Sequence, residues 1–253
     1  MGRNQRTVIT GANSGIGLAL LEQSIENEHD IIAVDLNTDS IQSRFSQNEK
    51  LQFIDADLST QTGSDFLFTK IALRWDSCDL FFANAGFAYF ENLSSRAEPD
   101  WLRNEKIFSL NTLSPIYSWQ KLKQLNKDHP FRIVMTSSAM AYLGLPGYAL
   151  YSATKAALHS FAETQKWEST TKREIVLVYP IATRTEFFRS AGSKAPFPSQ
   201  TAETVARSVF SGLRKNKTRI YPSFIFRIFW CTSQWLSFLP SIYLKIEAKK
   251  IPK

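Results

Sequence analysis

An α/β protein with a doubly wound parallel sheet in three layers is what this sequence predicts, and three observations predict it. Short β-rich apolar runs alternate with segments of helical periodicity. A glycine cluster interrupts the chain where the first such run gives way to the first helix. At 253 residues, the chain is long enough for one large α/β domain and short for two. A C-terminal segment rich in aromatic and basic residues extends that single domain, with the division placed at 1–219 and 220–253.

The elements follow in order. Thr7-Val8-Ile9-Thr10 reads as the first strand, and Ile16 to Ile25 carries apolar residues at helical spacing. Ile31–Val34, Leu51–Ile54 and Asp79–Phe82 read as further strands, with a helical pattern from Phe66 to Leu73. Arg132–Thr136 and Ile175–Tyr179 complete the buried runs, and Thr218–Pro222 is expected as a last strand. Runs this continuously apolar suit parallel strands covered on both faces. Residues 181–199 are expected to form a loop, a mobile lid carrying Phe187, Phe188 and Phe197, before a helix starting near Thr201.

Composition narrows the function. Hydrophobic residues make up 43% and charged residues 21%, which argues against disorder, collagen and coiled coil. Two cysteines and three scattered histidines provide no metal-ligand spacing, so no metal site is expected. No apolar signal region precedes the first strand, so a reducing, cytoplasm-facing compartment is expected. The net charge of +7 is unevenly spread: residues 212–253 carry nine Lys/Arg and one acid, leaving the rest near neutral. A nucleic-acid binder would spread its basic face through the fold, so none is expected.

The turn Thr10-Gly11-Ala12-Asn13-Ser14-Gly15-Ile16-Gly17 is the first chemical clue. Its glycines let backbone approach a diphosphate and let helix pack on sheet, and the helix N-terminus offers N–H groups to phosphate. No Lys-Ser/Thr pair follows, which disfavours ATP hydrolysis. Asp35 lies 18 residues beyond Gly17, at the end of the second strand, where a carboxylate can accept ribose hydroxyls. Its charge would repel an added 2′-phosphate, and Leu36 and Asn37 supply no neutralising arginine, so NAD is favoured over NADP.

Tyr151 and Lys155 stand four apart in a good helix-forming stretch, so phenol and ammonium share one face. A neighbouring cation should stabilise phenolate and bring a tyrosine into useful proton-transfer range. Ser138 follows the strand ending at Thr136, at an edge where ligands bind in open parallel sheets.

Taken together, residues 5–210 resemble the short-chain dehydrogenase/reductase family, whose fold is of the Rossmann type. The glycine turn is similar to its cofactor loop, with Gly11, Asn13, Ser14, Gly15, Ile16 and Gly17. Asp57-Leu58 resembles its adenine contact, and Ala83-Asn84-Ala85-Gly86 its Asn-Asn-Ala-Gly turn, with Ala83 in place of the first Asn. Asn111, Ser138, Tyr151 and Lys155 fall where the family keeps its catalytic tetrad. The resemblance implies Tyr151 as general acid/base, Lys155 holding the nicotinamide ribose and tuning Tyr151, and Ser138 placing the substrate oxygen. It implies that Asn111 keeps a helix open around a water that relays protons to Lys155. Pro180 and Thr185 would touch the nicotinamide end, although Ile181 stands where the family has glycine. The family's usual C-terminal ending is not evident.

The expected activity is reversible hydride transfer between NAD(H) and an alcohol or ketone of hydrophobic, lipid- or sterol-like character. A non-catalytic NAD(P)-binding sensor is the alternative, and the intact Ser138/Tyr151/Lys155 set favours the enzyme. The resemblance also implies a homodimer or tetramer paired through helices near Pro115–Lys127 and Tyr151–Thr170. Residues 228–244 are uncharged for 17 residues, at the bottom of the range for a membrane span, and are broken by polar residues and Pro240. Their aromatic rings and flanking cations suit a peripheral membrane interface through 220–246, with a lid or a subunit contact as rivals.

Overall fold

The computed structural model describes residues 4–91, 98–127, 129–168, 174–193, 195–233, 235–236 and 238–248. Within the segments read above, residues 169, 170, 194, 234, 237 and 249–253 lie outside the described ones.

Seven parallel strands form one sheet in the order β3-β2-β1-β4-β5-β6-β7. They are β1 Arg6–Thr10, β2 Asp30–Asp35, β3 Leu51–Asp55, β4 Leu80–Ala83, β5 Arg132–Thr136, β6 Ile175–Val178 and β7 Arg219–Ile220. Register runs straight across the sheet: Val8 pairs with Phe81, Phe81 with Ile133 and Ile133 with Ile175. Because side chains alternate along a strand, consecutive apolar residues feed two separate cores. Val8, Ile32, Phe81, Ile133 and Leu177 face one core, and Ile9, Ile31, Phe82, Val134 and Val176 face the other.

Helices cover both faces and make the three layers. The first core is closed by Leu67, Phe68 and Ile71 of α3 (Gln61–Arg74), Leu122 of α5 (Ser114–Asn126), and Leu158 and Ala162 of α6 (Ala149–Glu168). The second takes Leu20 and Leu21 of α1 (Gly15–Glu26), Ile41 of α2 (Asp39–Phe45), and Val205, Val209 and Phe210 of α8 (Ala202–Arg214). Side-chain caps fix several starts: Thr60 accepts from Gly63 N–H, Asp100 from Arg103 N–H ahead of α4 (Trp101–Phe108), and Thr201 from Thr204 N–H. Strand order reverses between β1 and β4, and the carboxyl ends of these strands open the crevice in which such sheets hold ligands.

Two expectations need correction. Residues 181–199 are not a plain loop, because a short helix α7, Glu186–Ser190, interrupts them. Thr185 caps it and Phe188 is buried, so the segment is anchored by aromatic packing; a five-residue helix is too short to show periodicity. The strand expected at 218–222 narrows to Arg219–Ile220, and the extension proper is two helices, α9 Phe224–Ser233 and α10 Phe238–Ala248. No helix among the described residues is long and apolar enough to cross a membrane.

Candidate active site

The crevice is built from strand ends tied to one another. The Thr10 hydroxyl donates to Phe82 C=O and accepts from the N–H groups of Asn84 and Ala85, both at 3.0 Å. Asn84 in turn donates to Thr10 and Gly11 C=O, and its amide oxygen accepts from Thr136 Oγ1 at 3.2 Å. The ends of β1, β4 and β5 are thereby locked into one floor. Thr10 heads the turn singled out in the sequence but has no role assigned there, and Thr136 offers no signal beyond its place at a strand end.

Above that floor lies a cleft of about 480 Å³. Gly11, Ser14, Gly15 and Ile16 line one end, with Asp35, Asp57 and Leu58 beyond them. Asn84, Ala85 and Gly86 line its middle, and Ser138, Tyr151, Lys155, Pro180 and Thr185 the other end. Three sequence candidates do not line it. Asn13 turns its side chain to Ser40 and gives its N–H to Asp35 Oδ2 at 2.9 Å. Gly17 serves packing, since a Cβ there would stand 1.8 Å from Gly11 C=O. Asn111 is fully buried behind the wall.

Gly11 and Gly15 have φ of +67° and +54°, which favours glycine, and a Cβ on Gly15 would meet the Thr185 methyl at 3.0 Å. Asp35 accepts from the N–H groups of Asn13 and Leu36, which orients the carboxylate at the cleft's far end. Asp57 is buried enough to push its carboxyl upward, but hydrogen bonds from the Ser59 hydroxyl and N–H, together with the Lys106 charge, outweigh this and hold it low. Lys106 itself lines the cleft, a contribution that nothing in its local sequence announced.

Asn111 sits in a π-turn, Ser109–Leu113, that interrupts the helix between α4 and α5. Its amide clamps the Phe87 backbone, accepting from the N–H at 3.1 Å and donating to the C=O at 2.9 Å, and also donates to Thr154 Oγ1. Gly86 passes so close that a Cβ would meet Asn111 Oδ1 at 2.9 Å and Lys155 Nζ at 3.6 Å.

The Tyr151–Lys155 pair differs electrostatically from expectation. Lys155 Nζ donates to Thr136 C=O at 2.8 Å and lies 5.7 Å from the Tyr151 ring centre. Both side chains are buried, and burial disfavours whichever form is charged. Tyr151 is therefore pushed well above the ordinary phenol, with the Ser138 hydroxyl pulling partly back, and Lys155 is pushed down to about 7. Desolvation governs both groups, and the anticipated help of lysine to the phenolate is not among the causes of either shift. Phe187 stacks edge-on against Tyr151 at 5.4 Å, and Ala88, Met140 and Phe188 join them in one apolar cluster. Ile181, where the resembled family keeps glycine, faces the cleft without disrupting the turn, which is held by Gln200 N–H to Ala182 C=O at 2.8 Å.

A parallel sheet with a glycine turn at its reversal point and a buried tyrosine–lysine pair at the far wall defines a dinucleotide-dependent oxidoreductase fold. The chain belongs to the short chain dehydrogenase family, whose model matches residues 5–196. Sorbitol-6-phosphate 2-dehydrogenase of Klebsiella pneumoniae is 28% identical over 167 residues, a match covering 63% of this chain and 61% of that enzyme. The oxidoreductase DltE of Bacillus subtilis is 24% identical over 221 residues, covering 86% and 87%. A short-chain dehydrogenase from Sphingobium yanoikuyae in complex with NADPH superposes with a TM-score of 0.79 at 21% identity, covering 92% of this chain and 93% of that one. A family member from Burkholderia phymatum in complex with NAD gives 0.75 at 19% identity, covering 87% and 89%. These solved structures share the fold.

Proposed function

We propose that the protein is an NAD(H)-dependent alcohol dehydrogenase or carbonyl reductase acting on a hydrophobic substrate. The observation that carries this reading is the convergence of Ser138, Tyr151 and Lys155 on one wall of the cleft that the glycine turn opens. The cleft fits a dinucleotide: backbone without side chains at Gly11 and Gly15, the N-terminus of α1 for the diphosphate, and Asp35 for the adenosine ribose. Asp57 and Leu58 would hold the adenine, Asn84, Ala85 and Gly86 the central portion, and Pro180, Thr185 and Lys155 the nicotinamide end. When bound, NAD(H) supplies or accepts the hydride.

Tyr151 is the general acid/base. Burial keeps its phenol protonated, so it is ready to give a proton to a carbonyl oxygen in the reductive direction and to take one back in the oxidative direction. Ser138 orients that oxygen and Lys155 adjusts the phenol. Asn111 acts through others: it holds Phe87, and with it the turn at Gly86, against the lysine. The apolar surround of Ala88, Met140, Phe187 and Phe188 supports a lipid-like or other hydrophobic alcohol or ketone. The carboxylate at Asp35 supports NAD over NADP, because it would face the extra phosphate.

We further propose that α9 and α10 lie on a membrane surface. None of the described residues that line the cleft comes from them, so the lid role has no support, and their exposed residues are mostly large and apolar, with Arg227 and Lys245 among them.

The decisive experiment is Tyr151→Phe. Turnover should fall by about a thousandfold or more, while NADH affinity by fluorescence titration stays within a few-fold. Retained turnover would refute the mechanism. If wild-type protein binds NADH yet turns over no alcohol or ketone in a broad panel, the sensor reading takes its place.

A further inference from the structure

A separate cavity, of about 420 Å³, lies between α8, β7 and the start of α9 and shares no lining residue with the cleft. Arg207, Lys217, Arg219 and Arg227 line it together with the hydroxyl-bearing Thr204, Ser208 and Ser211, and no carboxylate is among its lining residues. The acids nearby are already engaged. Glu163 takes Arg219 Nε at 2.8 Å and Lys166 Nζ at 2.6 Å, which fixes the Arg219 guanidinium in the wall. Glu203 shares α8 with Arg207 and feels its charge, but does not reach the cavity. Arg207, Lys217 and Arg227, beside an Arg219 that Glu163 holds in place, share a concave space with four hydroxyl-bearing residues, Tyr221 included, which is the chemistry of a phosphate site.

The cavity has a fixed apolar neighbour. Helix α9 turns Phe226, Phe229, Trp230 and Ser233 inward, at the spacing of one helical face. The Trp230 ring lies 4.4 Å from that of Tyr142, and Phe226 lies 6.5 Å from Tyr221, whose hydroxyl meets Tyr142's at 2.9 Å. Tyr243 of α10 packs on Phe229. Arg227 therefore reaches the cavity from a helix pinned to the body, while Phe224, Ile225 and Ile228 of the same helix are exposed, as are Trp235, Leu236, Ile242 and Ile246 farther on. An anion-binding hollow beside an exposed apolar ridge matches an amphiphile with a phosphate head and acyl tails.

We infer that this cavity receives the phosphate headgroup of an anionic phospholipid in the surface on which α9 and α10 lie. The inference rests on the membrane placement proposed above and is independent of the chemistry in the cleft. It adds a defined site where general basicity would need none, and it sets the orientation of the protein on the surface through Arg227 and the Phe224–Ile228 ridge.

The test is co-sedimentation of the full chain with phosphatidylcholine vesicles, plain or containing about a fifth phosphatidylglycerol, at fixed ionic strength. Three variants accompany the wild type: Lys217→Gln/Arg227→Gln in the cavity, Arg214→Gln/Lys215→Gln outside its lining with the same charge change, and Phe224→Ser/Ile225→Ser on the ridge. All the altered positions are exposed, and NADH titration and thermal melting report that each variant is folded. Phosphatidylglycerol should tighten wild-type binding by about tenfold or more, the cavity variant should lose that gain, and the outside variant should keep most of it. The ridge variant should lose binding to both kinds of vesicle. Equal losses in the cavity and outside variants would overturn the headgroup site while leaving the membrane placement standing. Absence of wild-type binding to any vesicle would overturn both. If inorganic phosphate alone raises the melting temperature through Lys217 and Arg227 while vesicles do not bind, the ligand is soluble and the lipid assignment falls.

Discussion

Lys155 offers a measurement that separates a buried, neutral amine from an ordinary surface lysine. Burial brings it from 10.5 down to about 7 in the folded protein, whereas in the unfolded chain it returns to its ordinary value. Between these values the unfolded state binds a proton that the folded state does not, so stability rises with pH through the window. Below about pH 7 the folded state must carry a buried ammonium and the full penalty is present. Each pH unit inside the window is worth up to about 1.4 kcal/mol, so the climb from about pH 7 to about pH 9 should add about 2 kcal/mol. For a domain of this size that corresponds to a rise of roughly 4–8 °C in melting temperature. His29 and His159 are lowered, with burial the leading cause, and finish titrating at lower pH; Cys78 and Tyr151 are raised by burial, so their unfolded forms ionise first toward the top of the window and pull stability down there, in wild type and variant alike. Melting curves of wild type and Lys155→Met across this range, without cofactor, isolate the effect: the wild type should climb and the variant should stay flatter by about 2 kcal/mol. Parallel curves for the two proteins would refute the neutral buried lysine.

Three further outcomes follow from particular contacts. Asp35→Ser should raise the preference for NADP relative to NAD by about tenfold or more, read as the ratio of kcat/KM for the two cofactors; an unchanged ratio would remove Asp35 from the ribose site. Gly17→Ala should cost about 3–5 kcal/mol in urea unfolding, because its methyl would collide with Gly11 C=O and push α1 off the sheet; a loss under about 1 kcal/mol would show that the helix can shift freely. Asn126→Ala should cost about 2–4 kcal/mol, since the Asn126 amide accepts from the Cys78 N–H at 3.0 Å and donates to its C=O at 2.6 Å in a buried setting; hydrogen exchange at the Cys78 amide should accelerate in step.

What could be read along the chain was what adjacent residues decide. Both cores of the sheet are legible as neighbouring apolar pairs, such as Val8-Ile9 and Phe81-Phe82, because strand alternation sends them to opposite faces whatever lies around them. Helical spacing alone pairs Tyr151 and Lys155, and the sequence starts a helix near Thr201, which the structure shows as the cap of α8. The short helix at Glu186–Ser190 escaped because five residues hold too little periodicity, and Lys106 escaped because it meets Asp57 only through the fold.

The sequence by itself determined the order of the strands, the glycine turn and the chemical types available to the cleft, since these depend on local sterics and periodicity. Only the tertiary structure decided what those groups experience. It moved Asn13 and Gly17 out of the cleft and Asn111 behind its wall, and it made burial the leading influence on both Tyr151 and Lys155. It also gathered Arg207, Lys217, Arg219 and Arg227 from three elements and the loop between two of them around one hollow. Desolvation and convergence are properties of three-dimensional packing, in which residues distant in the chain exclude water from one another, and no stretch of sequence carries that information alone.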